Sequence, residues 1–118
     1  FLEQACAGQD LTVEGDGSQR RDFVHVEDVV RAHLLAATTD GVGEAYNVGT
    51  GRSVSVLELA ELVRELAGSR SDIVHVPARS GDVTTSRADI SKARAGLSFE
   101  PRVSLREGIG GLVPQPVR

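Results

Sequence analysis

The side chains best suited to hold an anion stand in two short polar runs. The first, Gly15-Asp16-Gly17-Ser18-Gln19-Arg20-Arg21-Asp22, joins a glycine turn to two adjacent arginines just before an apolar stretch. A guanidinium fork donates two parallel hydrogen bonds to neighbouring oxyanions, which suits a diphosphate. Successive residues of an extended chain point to opposite faces, so only one of the two arginines can face a given ligand. Taken alone, an arginine pair reads as solvated surface charge, and Asp22 could pair with either member. The second run, Ala78-Arg79-Ser80-Gly81-Asp82, has the same ingredients: an arginine, a glycine that permits close backbone approach, and a carboxylate able to accept ribose hydroxyls. Among the other polar groups, Asn47 suits a structural hydrogen bond. His25 alternates with Phe23 and reads as a packed core residue, while His33 and His75 have no partner that the sequence identifies.

Several chemistries are missing from this sequence. No glycine set satisfies G-x-G-x-x-G, and the single lysine, Lys92, follows Ser91 rather than glycine, so neither common phosphate loop is encoded. Tyr46 is the only tyrosine and is followed four positions later by Thr50, so no Tyr-x-x-x-Lys acid/base pair exists. The lone Cys6 and three scattered histidines argue against a metal centre or an internal disulfide. With 13 Lys+Arg against 17 Asp+Glu, a net charge of −4 and only 3% aromatic residues, nucleic acid is not the expected partner. No apolar run approaches the ~20 residues of a membrane span, and the N-terminal residues lack the pattern of a signal peptide. A soluble, cytoplasmic protein is the expectation. The chain has 118 residues, the size of one modest domain, but it starts at Phe1 with no initiator Met, which suggests a piece of something longer.

The elements that must position the two runs follow from local signals. Leu11–Glu14 alternates as a strand into the Gly15 turn; Phe23–Val26 and Ala45–Val48 read as further strands, and Ile73–Val76 as one halted by Pro77. A helix is expected from Glu27 and Asp28 to about Thr39, with Val29, Val30, Ala32, Leu34, Ala36 and Ala37 on its apolar face. Ser55 and Glu58 form a capping box with Val54 and Leu59 as its staple, and Gly68 ends that helix. A short helix is expected over Ile90–Ala95 behind Asp89 and stopped by Gly96, and a weaker one starts at Ser104, with capping spacing to Glu107.

Three runs then carry a family likeness: GDGSQRRDFVHVEDVVRAHLLA, EAYNVGTGRSVSVLELAELV and ARSGDVTTSRADISKARAGLSFEPRVSLREGI. In order and at ordinary spacing they resemble the C-terminal part of the NAD-dependent nucleotide-sugar epimerases and dehydratases, the extended short-chain dehydrogenase/reductases. The likeness is strongest to the UDP-glucose 4-epimerase group. The resemblance implies an α/β fold, the C-terminal substrate-binding portion of such an enzyme, with short strands alternating with helices and the Rossmann core missing. Residues 1–113 would be the nucleotide-sugar-binding portion and 114–118 an extended tail. It implies that Arg21 contacts the diphosphate, that Arg79 approaches it from the other side, and that Asp82 holds the ribose. Glu14 stands where relatives usually carry a Phe or Tyr that stacks on the base, worth ~1–3 kcal/mol; a carboxylate there can instead hydrogen-bond a base edge. No catalytic residue is expected in this chain. NAD is implied for the full-length parent and none for these residues alone. The implied partners are a nucleotide-diphosphate sugar, UDP-linked by the likeness, the missing N-terminal Rossmann half, and a second copy of the parent in a homodimer. The parent would be an epimerase or, within the same family, a dehydratase or decarboxylase; the chain by itself would be a catalytically silent binding piece. With the Ala45–Val48 strand and the Val29 helix face left without their partner, it is expected to be only marginally folded alone.

Overall fold

The computed structural model describes residues 1–40, 42–78 and 84–114. The described residues form α1 (Leu2–Cys6), β1 (Leu11–Glu14), β2 (Arg20–Arg21), α2 (Val26–Thr38), β3 (Val54–Ser55), α3 (Val56–Leu66), β4 (Ile73–Val76), α4 (Ser91–Leu97) and α5 (Leu105–Leu112). The fold is α/β, with short strands between helices. Among the described residues no helix is long and apolar enough to cross a membrane.

Two small sheets organise it. Leu11 pairs with Ile73 and Glu14 with Val76 in a parallel ladder, while Arg20 and Arg21 pair antiparallel with Ser55 and Val54. Parallel strands need a crossover, and α3 lies between β1 and β4 in the chain and packs on the pair. The start of α3 is locally specified: the Glu58 amide donates to Ser55 Oγ at 3.0 Å and the Ser55 amide to Glu58 Oε2 at 3.3 Å, a complete capping box. The same device opens α5 between Ser104 and Glu107. Gly17 adopts φ +77° at the turn after β1, and a Cβ there would lie 2.9 Å from Leu57 Cβ, so only glycine lets the turn seat on α3.

The apolar interior is split. Leu11, Val13, Ala5, Ala60 and Val63 form one cluster under the parallel pair; Ala32, Ile90, Ala93, Leu97 and Phe99 form another between α2 and α4. The molecule measures 50 × 44 × 16 Å, with a radius of gyration of 17.0 Å. A compact chain of this length would have a radius near ~13–14 Å, so this is a thin slab. One consequence is an apolar stripe left in solvent, since Val26, Val30 and Leu34 of α2 are 67%, 51% and 64% exposed.

Several expectations need correction. The expected strand at Phe23–Val26 does not form: Val26 already belongs to α2, and His25 is its N-cap, its Nδ1 accepting from the Glu27 amide at 3.1 Å. His25 is therefore a capping side chain rather than a packed core residue. Ala45–Val48 forms no strand either, because no described strand lies beside it; Tyr46 instead packs against Gly96, with the Lys92 ammonium 5.1 Å above its ring. The short helix is shifted to Ser91–Leu97, with Gly96 inside it and left-handed Ser98 (φ 54°) ending it, while Asp89 accepts from the Ser91 amide at 3.0 Å. Helix α1 gave no sequence signal that set it apart. Of the tail, only Pro114 lies within the described residues.

Two aspartates join these parts. Asp28, fully buried, accepts from the Arg102 amide at 3.0 Å, from the Val103 amide at 3.1 Å and from the Arg31 guanidinium, and so ties the first turn of α2 to the segment before α5. Asp22, half-buried, accepts from the Thr50 amide and hydroxyl, the Gly51 amide and the Ala88 amide at 2.5–3.2 Å. It pairs with neither Arg20 nor Arg21 in any of these bonds. Burial pushes both carboxyls up, but the hydrogen bonds received by each outweigh this and hold both below the usual aspartate range. Gly49 is the close-approach point beside Asp22, where a Cβ would lie 2.7 Å from Ala88 Cβ and 2.8 Å from Asp22 Oδ2.

Because the folded-state values are depressed, both aspartates stabilise the fold above the ordinary carboxyl pKa, ~3.9, and lose that contribution as pH falls through their folded values. Chemical denaturation should therefore show stability dropping on acidification below about pH 4. Asp28→Asn should cost ~1–3 kcal/mol at pH 7 and flatten that acid limb. Gly49→Ala should also destabilise by ~1–3 kcal/mol, since backbone and Asp22 must shift. Gly110→Ala, inside α5 with nothing within 4 Å of the added Cβ, should be neutral or stabilise by up to ~1 kcal/mol in the same melting experiment.

Candidate anion-binding site

In sheets with parallel strands, ligands gather at the carboxyl ends. Here that end carries Glu14, at the close of β1, level with Val76 at the close of β4. The Gly15 amide donates to the Val76 carbonyl at 2.7 Å and His75 Nδ1 lies 2.8 Å from the Gly15 carbonyl, so the turn after Glu14 is fastened to the chain that leads into residue 79. Ala78 itself abuts Gly15, 3.1 Å from where a Cβ would stand.

Arg79 and Asp82 lie outside the described residues, but both flanks of that segment are placed. Before it, Ala78 sits against the Gly15 turn. After it, the Arg20 amide donates to the Thr84 carbonyl and the Ser86 amide to the Arg20 carbonyl, both at 2.9 Å.

Arg20 and Arg21 diverge. Arg20 turns to Ser53, with Nε 3.1 Å from the hydroxyl and Nη2 2.8 Å from the carbonyl, and approaches Glu58 at 3.7 Å. Its role is to hold β2 against the start of α3. Arg21 donates Nη1 to the Arg20 carbonyl at 2.9 Å and lines a cavity of about 430 Å³ on the other face, bounded also by Phe23, Thr50 and Val54. A cavity of this size falls within the range of small-molecule sites.

The cavity is also lined by Arg52 and Arg102, which the sequence does not single out as site residues. Arg52 follows Thr50, whose hydroxyl accepts from the Arg52 amide at 3.1 Å while bonding Asp22, and Arg102 is held by Asp28 through its amide. The signals that could have exposed them are the aspartates of R-D-F-V-H-V-E-D, which read as a helix-dipole acid and an arginine partner but serve as acceptors for distant amides. Among the described residues no group of three or more His, Cys, Asp or Glu could hold a metal. Nor do the residues present fit a nicotinamide dinucleotide, since no glycine loop of the required spacing is encoded.

With this geometry in place, comparison with known proteins is informative. A model of the NAD dependent epimerase/dehydratase family matches residues 1–49. The UDP-glucose 4-epimerase of Mycolicibacterium smegmatis is 40% identical over 113 residues, 96% of this chain and 36% of that protein. The crystal structure of UDP-glucose 4-epimerase from Thermotoga maritima with UDP-glucose superposes with a TM-score of 0.88 at 44% identity, over 93% of this chain and 35% of the other. MoeE5 in complex with UDP-glucuronic acid and NAD superposes with a TM-score of 0.82 at 42% identity, over 92% and 36%. UDP-glucuronic acid decarboxylases and a dTDP-glucose 4,6-dehydratase are also among the relatives. Solved relatives thus hold NAD, while this chain spans about a third of their length. The family match and these relatives support an NAD-dependent epimerase/dehydratase fragment, with the fold of about a third of an extended short-chain dehydrogenase/reductase.

Proposed function

We propose that this chain is the nucleotide-sugar-binding portion of an NAD-dependent nucleotide-sugar 4-epimerase of the UDP-glucose type. It positions the sugar diphosphate while the sugar C4 hydroxyl is oxidised and the ketone is re-reduced on its other face. The observation that supports the reading is that Ala78 abuts the Gly15 turn after Glu14, while Thr84 and Ser86 bond the backbone of Arg20, the neighbour of Arg21. On this reading Arg21 and Arg79 grip the diphosphate from two sides, Asp82 takes the ribose hydroxyls and Glu14 meets the base edge.

The hydride acceptor, NAD, belongs to the part of the fold these residues do not encode. The chain's own contribution is orientation: holding the diphosphate fixed lets the sugar present C4 repeatedly in a reactive pose, which lowers the barrier without covalent chemistry by these side chains. The slab shape and the exposed Val26, Val30 and Leu34 stripe support a Rossmann half as the partner that covers α2. Relatives that are dehydratases and decarboxylases favour a second reading within the family, in which the same anchor serves a diverted 4-keto intermediate.

The test joins this chain in frame to the N-terminal two thirds of the Mycolicibacterium relative. Arg21→Ala and Arg79→Ala should each weaken UDP-glucose binding ten- to a hundredfold, the loss of charge-assisted hydrogen bonds worth ~1.5–3 kcal/mol, and leave NAD binding intact. Arg20→Ala, whose side chain serves Ser53 and Glu58, should leave the affinity unchanged. Equal effects of Arg20→Ala and Arg21→Ala would refute the assignment. The 118-residue chain alone should show no epimerisation of UDP-glucose; detectable turnover by the pure chain would place catalytic groups where none is assigned.

A further inference from the structure

His25 holds the first turn of α2 in a way that only one protonation state allows. The amides of Asp28 and Val29 turn back to the His25 carbonyl at 3.0 and 3.2 Å, and the Glu27 amide donates to the His25 ring, 3.1 Å from Nδ1. A ring nitrogen accepts only when it carries no proton, so this bond fixes His25 as the neutral tautomer with its proton on Nε2. An imidazolium has N–H groups at both nitrogens and would set one of them against the amide. The positive end of the helix dipole adds to that repulsion. His75 shows the opposite arrangement in the same chain: its Nδ1 meets the Gly15 carbonyl at 2.8 Å, an oxygen that only accepts, so protonation leaves that bond intact.

The His25 ring also touches α5. A Cβ on Gly108 would lie 3.0 Å from His25 Cδ2, so that helix seats on the ring edge, and the lack of a side chain at Gly108 permits it. The turn that the ring caps carries Asp28, whose carboxylate receives the Arg102 and Val103 amides ahead of α5. Cap, buried carboxylate and α5 thus meet at one helix end. Of the charged groups on the elements that meet there, Asp28 is taken by Arg31 and those amides, Arg106 pairs with Glu65, and Glu107 receives the Ser104 amide, while Glu27 and Arg102 are exposed.

We propose that His25 is a pH-operated latch: with a neutral ring it caps α2 and braces α5 through Gly108, and on acidification its protonation frees the cap and loosens the joint between α2 and the segment leading into α5. The latch does not depend on the nucleotide-sugar reading. Because the bond needs the neutral ring, its contribution is present at higher pH and lost as pH falls through the histidine range, well above the acid limb of Asp22 and Asp28.

The test follows the ¹⁵N-labelled 118-residue chain by NMR from about pH 7.5 to about pH 5.5, the range in which histidine ordinarily changes charge. At the upper end the His25 ring should show a bare Nδ1 and a protonated Nε2. On acidification the Glu27, Arg102, Val103 and Gly108 amides should shift with the midpoint of the His25 ring. Over the same range the Glu27 amide should lose roughly fivefold of its exchange protection, the size of a typical N-cap. His25→Asn, which caps without titrating here, should keep the protection and remove the step. His25→Ala should lack the protection at both ends of the range, and His33→Gln, at an exposed position of α2, should leave the step as it is. A His25 ring protonated on Nδ1 at the upper end, Glu27 protection unchanged across the titration, or a step that persists in His25→Asn overturns the proposal.

Discussion

Backbone amides that belong to no helix or strand ladder must find acceptors elsewhere, and two aspartates supply them. Asp28 gathers Arg102 and Val103, more than seventy positions away in the chain, onto the first turn of α2. Asp22 gathers Thr50, Gly51 and Ala88 onto the end of β2. In a slab only 16 Å thick, with two small apolar clusters in place of one, these polar joints carry long-range order that a larger core would otherwise supply. Removing one partner from such a joint leaves amides stranded, which is why the fold depends on them more than on any single apolar contact.

The same joints shape the cavity. Each aspartate that fixes a backbone segment also fixes an arginine on it, Arg52 through Thr50 and Arg102 directly, and Asp22 lies next to Arg21 in sequence. The joints and the cavity wall are therefore one construction. The carboxylates of Asp22 and Asp28 accept from amides, while Arg21, Arg52 and Arg102 are among the residues that line the cavity.

Elements with self-contained local signals were legible in the sequence. The Ser55–Glu58 and Ser104–Glu107 boxes, Gly68 after α3, and the β-branched runs at Leu11–Glu14 and Ile73–Val76 each needed only near neighbours to declare themselves. Elements set by distant partners were not. Phe23-Val24-His25-Val26 has strand-like alternation, but His25 caps α2 and a helix begins one residue later. Ala45–Val48 has strand composition without a neighbouring strand to complete a ladder. Among the residues that line the cavity, Arg21 stands out in the sequence because its arginine neighbour and the glycine turn mark it, and the two arginines do part company as an extended chain requires. Arg52 and Arg102 were invisible, since their place on the cavity wall depends on bonds to Asp22, by way of Thr50, and to Asp28 that no local pattern encodes.

The central claim is that this chain presents its arginine-lined cavity to the diphosphate of a nucleotide sugar. A crystal structure of the protein with UDP-glucose tests it most directly. The account predicts both phosphates within hydrogen-bond distance of the Arg21 guanidinium, inside the cavity that Arg52 and Arg102 also line, with the uracil toward Glu14. A UDP-glucose bound at saturating concentration with its phosphates away from Arg21, and the cavity filled only by solvent, would contradict it.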